Sequence, residues 1–404
     1  MFKIIRYISG ILQSSAPVFC RECRLMLQRP IYIVMTLIFP LFCYAFFTSM
    51  MKDGMPMQLP VAVVDLDNST LSRSIIRRID TSPQIKIVSR PYSYAEANDA
   101  LQRNNISGFI ILPRNMQSDA MAGRQPKVAF YTGNTYLISG SLAMRELSTI
   151  TAQSSASLNI RMRAGSGQSP TEIAANVQPI ALDFHAPGNP WTNYSIYLST
   201  ILSHGLLQIL ILLTTVYVIG IEMKKGTSGE WLDFANGSLM RALAGKLFPY
   251  TLLFSLMTIA GNTLFFKYLQ FPCQGSFFAM LLAGVMMVVA YQATGIFLLG
   301  LLGDFKIALT FSGIYGVLGI SFSGLTFPIE IMDSPLQGFS WIFPIRYYYY
   351  VYQSVALHGL SAFQVFTSYL MLMSFVLFPL LVIRRLKQVV KTAVADNDAT
   401  VITS

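Results

Sequence analysis

The residues best placed for ionic chemistry form one short run, Glu222-Met-Lys224-Lys225-Gly226-Thr227-Ser-Gly-Glu230-Trp231, with Ala244-Gly245-Lys246-Leu247 a turn further on. Carboxylates, ammonium groups and glycines on a turn between two apolar stretches can seat against a charged groove of another protein. A solvated connector would have the same composition. Nucleotide chemistry does not fit this run, because Met240 and Leu247 break the G-x-x-x-x-G-K-[ST] pattern that cradles phosphates. Cys20-x-x-Cys23 has redox or zinc spacing, yet no second Cys or His pair lies nearby in sequence, so no metal role is assigned. His185, His204 and His358 are widely separated, and neither H-E-x-x-H nor G-x-S-x-G occurs. A hydrolase is not indicated, and no residue is assigned a catalytic role.

A second set of polar residues is interesting for its surroundings. His204 and Gln208 lie four apart within one apolar run, and Asn262 and Gln292 lie in two others. Polar groups inside a membrane mark pathways by default. Uncharged ones also serve as hydrogen bonds between helices, and for these four that plainer role is favoured. Asp, Glu, Lys and Arg are missing from the middle of every apolar run, whereas a proton- or sodium-driven carrier would be expected to hold some there.

The elements that must position these residues follow from composition. Hydrophobic residues make up 53% of the 404-residue chain and charged residues only 12%, against roughly 25% charged in soluble domains. The apolar residues cluster into long runs, as membrane spans do. The formal net charge of +10 would suit a nucleic-acid binder, but the basic residues outside 52–193 fall in short segments between those runs. That is the distribution of cytoplasmic loops, and nucleic acid is not a partner.

Six transmembrane helices are predicted: Ile31–Met51, Ile196–Ile219, Leu247–Leu269, Ser276–Leu302, Ile307–Leu325 and Phe363–Ile383, with Pro40 kinking the first. The run after Pro30 is too long, and begins too late, for a cleavable signal peptide. Residues 1–30 form a cytoplasmic segment whose stretch Ile11–Gln28 fits a helix lying on the inner membrane surface or a solvated lead-in. Residues 194–383 hold the five later spans, an inner loop at 222–246 and an outer segment at 326–359. Residues 384–404 form a cytoplasmic tail. The outer segment is too rich in proline to span, and its aromatic residues suit short helices dipping into the outer leaflet.

Residues 52–193 read differently. Strands are predicted at 60–65, 84–90, 107–112 and 126–132, and helices at 70–81, 93–104, 114–122 and 139–164. Ser93 with Glu96, and Ser169-Pro170-Thr171-Glu172, have capping-box spacing. The fold class expected is therefore a polytopic α-helical membrane protein with an α/β extracytoplasmic domain inserted between its first and second spans, the sheet partly parallel.

In this setting the inner loop resembles that of the type-2 ABC exporter permeases, E-[KR]-[EK]-[KR]-G-T-x-E followed by G-K-x-x-P. Met223 and Ser228-Gly229 are the departures. Gly324-Leu-Thr-Phe327-Pro328-Ile-Glu330-Ile-Met332 and Pro344-Ile-Arg346-Tyr347 resemble the outer re-entrant segment of the same family. The resemblance covers nearly the whole chain. It implies the membrane subunit of an ATP-driven exporter, with Glu222, Lys224, Lys225, Gly226, Thr227 and Glu230 docking in the ATPase. It implies no cofactor in this chain, since the partner ATPase binds ATP and Mg. A second permease copy or a paralogue completes the pathway, membrane lipid surrounds it, and a need for periplasmic adaptor proteins is left open. The location expected is a bacterial plasma membrane, with both termini cytoplasmic. The aromatic and apolar character points to an amphipathic or lipid-like cargo. The rival reading is a membrane-anchored receptor or envelope assembly scaffold acting through its outer domain. A copurifying ATPase would separate the two.

Overall fold

The computed structural model describes residues 16–52, 54, 57–132, 137–165, 193–325 and 327–402. Chain contacts divide it into two units, Met1–Gly54 with Ala186–Ser404, and Met55–His185. The expected capping box at Ser169–Glu172 lies outside the described residues.

In the first unit, α1 (residues 16–28) leads to α2 (Pro30–Met50), which Pro30 opens at a position where a missing N–H costs nothing. Pro40 does not break α2. Its ring would crowd the carbonyl four residues back, and the helix widens into a π turn at Val34–Ile38 just before it.

The second unit begins with β1 (Leu59–Asp65) and α3 (Thr70–Asp80), continues with β2 (Ile85–Ser89), α4 (Tyr94–Gln102), β3 (Gly108–Leu112), α5 (Met116–Met121) and β4 (Ala129–Thr132), and ends with α6 (Leu137–Gly165). The strands form one sheet in the order β2-β1-β3-β4, with β1 parallel to β2 and β3, and β4 antiparallel to β3. Alternation along β1 gives the sheet two cores. Val61 and Val63 pack with Ile75, Ile76 and Ile79 of α3 and Leu147 of α6, while Ala62 and Val64 pack with Ala97 of α4 and with Phe109. Both helix starts are capped by serine. Ser69 Oγ accepts from Ser72 N–H at 3.1 Å and Ser93 Oγ from Glu96 N–H at 3.3 Å. Glu96 reaches back to the Tyr92 N–H at 3.0 Å, one residue earlier than the capping box places it.

The first unit resumes with α7 (Tyr194–Lys225) and the short α8 (Ser228–Asp233). Then come α9 (Leu239–Thr263), extended by a π turn to Tyr268, α10 (Phe277–Leu302) and α11 (Phe305–Ser321). Gly303, in the left-handed region, and Asp304, whose carboxylate accepts from Ile307 N–H at 2.9 Å, make a tight turn between α10 and α11. A 3₁₀ turn at Ile329–Ile331, α12 (Ser334–Ser340) and α13 (Pro344–Val351) follow, α13 running into a π turn at Tyr352–Leu357. The chain closes with α14 (Phe366–Ser374) and α15 (Phe378–Ile402), joined by a 3₁₀ turn ahead of Pro379. One continuous core runs through α2, α7, α9, α10 and α13.

Among the described residues five helices are long and apolar enough to cross a membrane, and the chain is a polytopic membrane protein: Pro30–Met50, Ser195–Lys225, Leu239–Tyr268, Phe277–Leu302 and Phe366–Thr392. The span expected at 307–325 is a shorter apolar helix, because α11 ends at Ser321, ahead of Gly324 and Pro328. Its 17 residues reach about 25 Å at 1.5 Å each, short of the ~30 Å hydrocarbon core. At the far end of α2 the Gly54 carbonyl accepts from Ser195 N–H at 3.3 Å, so the chain leaves and rejoins the helical bundle at one point.

The two-faced sheet makes a stability prediction. Ile79 is fully buried under the sheet, and Ile79→Ala is expected to lower the stability of a 55–185 fragment by about 2–5 kcal/mol. Chemical denaturation followed by circular dichroism measures it. A change below 1 kcal/mol would mean that this face is not a packed core.

Candidate functional site

Gly226 ends α7 with φ +69°, a conformation that other residues adopt only with strain, and the Thr227 N–H turns back to the Glu222 carbonyl at 3.1 Å. This C-cap folds the 222–231 run in two. Glu222, Ser228 and Trp231 turn inward and are buried, whereas Lys224, Lys225 and Glu230 are exposed. Thr227 Oγ1 donates to Glu222 Oε2, and the Trp231 indole N–H donates to the Ala242 carbonyl at 3.2 Å.

Four charges meet behind the turn. Lys246, at the start of α9, has 1% of its side chain exposed and places Nζ 2.6 Å from Glu22 Oε2 and 2.8 Å from Glu222 Oε1. Arg21 of α1 donates to both oxygens of Glu222, at 2.8 and 3.1 Å. One helical turn beyond Lys246, the Tyr250 hydroxyl donates to Glu22 Oε1 at 2.8 Å. The Trp231 ring lies 5.6 Å from Lys246 Nζ, a cation–π distance. Two carboxylates and two cations balance, as they must where water cannot solvate them. The bond to Glu222 holds the Arg21 guanidinium above its ordinary pKa. The network ties α1, the end of α7 and the start of α9 together.

Arg21, Glu22 and Tyr250 are not among the residues that the sequence marks, and Lys246 is singled out there only as part of the inner run's motif, with no partner assigned. One signal was available, since Glu22 is the only acidic residue before Asp53 in an otherwise basic segment. A lone carboxylate there asks for a buried partner. Cys20 is exposed and Cys23 partly so, both are free, and no group of three metal-ligating side chains occurs among the described residues.

The four membrane polar residues are all buried, and His204 and Asn262 share Tyr348 as a neighbour. His204 Nδ1 lies 2.7 Å from the Thr200 carbonyl, and its ring stacks on Tyr348 at 4.9 Å. The Tyr348 hydroxyl donates to Asn262 Oδ1 at 3.3 Å, linking α13 to α9. Gln208 Nε2 donates to the Gly316 carbonyl of α11 at 3.0 Å, and Gln292 Oε1 accepts from Thr251 of α9 at 2.7 Å. Three of the four thus bond between helices, while His204 bonds within its own. Among the described residues each keeps one polar atom without a partner: His204 Nε2, Gln208 Oε1, Asn262 Nδ2 and Gln292 Nε2, joined by Tyr44 Oη beside His204. Buried atoms of this kind take up water or the polar part of a ligand when the helices part.

The segment 327–359 folds into a cap. Phe343 is buried against the rings of Phe322, Phe339 and Tyr315. Pro344 opens α13, and Arg346 Nη1 donates to the Gln337 carbonyl at 3.3 Å and to Ser340 Oγ. Gln337 Nε2 in turn donates to the Met332 carbonyl at 2.8 Å and the Glu330 carbonyl at 3.2 Å. Phe327, Pro328 and the Glu330 side chain are exposed, and Tyr347 is half-buried. The Tyr352 hydroxyl, on the π turn after α13, donates to the Ile196 carbonyl at 2.7 Å. The cap therefore sits at the start of α7, at the opposite end of that helix from Glu222.

Removing one member of the charge network should be costly, and removing a neutral pair much less so. Lys246→Met leaves two carboxylates facing one cation and is expected to destabilise the full chain by about 3–5 kcal/mol. The double variant Glu22→Gln/Lys246→Met keeps the Arg21–Glu222 pair and should recover most of that loss. Thermal unfolding of the detergent-solubilised chain decides the matter, and equal loss in both variants would contradict the pairing.

Comparison with known proteins adds one finding. A family model described as ABC-2 family transporter protein matches residues 30–384. No curated protein matches the chain. Arg21 and Glu22 fall just outside the matched residues, while Glu222, Lys246 and Tyr250 lie within them. The chain belongs to the ABC-2 family of transporter membrane proteins, whose members are the permease subunits of ABC transporters and work with an ABC ATPase.

Proposed function

We propose that this permease is an exporter, moving an amphipathic or lipid-like cargo outward when a separate ATPase closes on ATP. The observation that carries the reading is the buried charge network behind the 222–230 turn. A push on the exposed face of that turn, at Lys224, Lys225 and Glu230, would be delivered through Glu222 and Lys246 to α7 and α9 at once. The groups left facing outward are the ones available to a charged groove of the ATPase. Glu222 and Thr227 then hold the turn in shape rather than docking.

Basic segments flank the spans in the pattern of cytoplasmic loops, which supports an inner position for the turn and an outer one for the α/β unit. Six crossings, with α11 as a short sixth, bring both termini to the cytoplasm of a bacterial plasma membrane. Two copies, or this chain with a paralogue, would enclose the pathway. His204 of α7 and Asn262 of α9 lie beyond the charge network toward the cap, and Tyr348 of α13 meets both. Parting of the helices there would give polar lining to the route, and the cap would gate its outer end.

Two measurements test this. In a chain whose native cysteines are replaced by alanine, Ser118→Cys should react with an impermeant thiol reagent in spheroplasts. Lys225→Cys should react only after the membrane is permeabilised, and the reverse pattern would overturn the topology. Glu230→Lys, on an exposed side chain, should leave thermal stability unchanged yet weaken copurification with the ATPase by about tenfold or more, as charge reversal at an interface pair does. Unchanged copurification and transport would make the turn a solvated connector.

A further inference from the structure

A cavity of about 530 Å³ opens beside the outer cap, with Arg346 and Glu330 in its wall together with Tyr197, Tyr347, Tyr349 and Tyr350. Arg346 uses one of its three nitrogens inside the protein. Nη1 donates to Gln337 and Ser340, while Nε and Nη2 make no hydrogen bond among the described residues. Burial depresses its pKa, and Tyr347 and then the Glu330 carboxylate partly restore it, so the charged form gains from any further anion. The Glu330 carboxylate makes neither an ion pair nor a hydrogen bond among the described residues, although it lines the same space. Two opposite charges thus share one cavity without closing on each other.

That arrangement discriminates between ligands. A simple anion would meet Arg346 but be repelled by Glu330, and a simple cation the reverse. A neutral sugar would leave both charges unmatched. A group carrying both signs satisfies both, and tyrosine faces favour a quaternary or primary ammonium beside them. Phe327, Ile331 and Phe366, each next in sequence to a residue lining the cavity, and Trp341, whose ring lies 6.0 Å from the Arg346 guanidinium, are exposed, the mixture that settles at a membrane–water interface.

We infer that this cavity binds the headgroup of a zwitterionic lipid, its phosphate on the free edge of Arg346 and its ammonium between Glu330 and the tyrosines. The acyl chains run out past the exposed aromatic residues. Binding depends on neither the direction of transport nor the ATPase, so its failure would leave the proposed export reading standing, and the converse holds too.

Calorimetric titration of the full chain in detergent tests it with three probes: dihexanoyl phosphatidylethanolamine, dihexanoyl phosphatidylglycerol and free phosphoethanolamine. The ethanolamine lipid is expected to bind saturably and most tightly. Arg346→Gln should weaken it by about tenfold or more, the loss expected for a charge-assisted hydrogen-bonded contact. Because Arg346 also braces the cap, Glu330→Gln is the second variant. Its side chain is exposed, so folding is not at stake, and it should erase the preference over the glycerol lipid. Equal binding of the two lipids by the unmodified chain would overturn the inference. So would an ethanolamine-lipid affinity unchanged by Arg346→Gln, a preference that survives Glu330→Gln, or free phosphoethanolamine binding as well as the lipid.

Discussion

Lys246 carries its ammonium group in a place that water does not reach, between Glu22 and Glu222. An unpaired charge there would cost several kcal/mol, so the three helices that supply the partners cannot separate at this end without a large penalty. The constraint reaches outward from that point. Glu222 is held by Arg21 and Lys246 together, and its backbone carbonyl receives the turn that Gly226 permits. Trp231 packs on the Lys246 side and bonds to α9, which fixes α8 against the same cluster. A turn that looks like a loose connector between spans is therefore braced from behind, with only its cationic and acidic tips facing out.

α7 links this end to the other. Its 32 residues extend about 48 Å, with Glu222 near one terminus and the Ile196 carbonyl, bonded to Tyr352 of the cap, near the other. His204 and Gln208 stand between them, each with a polar atom left unpartnered in the core. A rigid element with specific bonds at both ends is a physical route by which a displacement at the turn can reach the cap. The unpartnered atoms His204 Nε2 and Gln208 Oε1 can gain a hydrogen bond from water or a ligand if neighbouring helices move apart.

Proline shapes the helices that frame this route. Pro40 is absorbed by a widened turn and Pro379 by a tightened one, while Pro249 sits inside α9 without interrupting it. A missing N–H does not dictate one outcome. The neighbours decide whether the helix widens, tightens or carries on. The shortness of α11 has a different cause, in the turn after Ser321 and the start of the cap, which draws the chain back toward α7 through Tyr197 and Leu325.

Much of this was legible from residue order alone. Long apolar runs and basic flanks mark the spans because a bilayer accepts little else, and the unbroken apolar run Val61–Val64 marks a strand covered on both faces. Gly226 could be read as a tight turn because few other residues adopt its conformation. The partner of Glu222 could not be read. Arg21 and Lys246 are separated from it by 201 and 24 residues, and nothing local says which of many basic side chains will be buried against which carboxylate. The same holds for the cavity beside the cap, which Tyr197 and Arg346 both line only because α13 folds back on the start of α7. Sequence determines what each segment must bury, since that depends on its own side chains and the solvent. Which buried charges meet is a property of how the segments pack, and only the tertiary structure decides it.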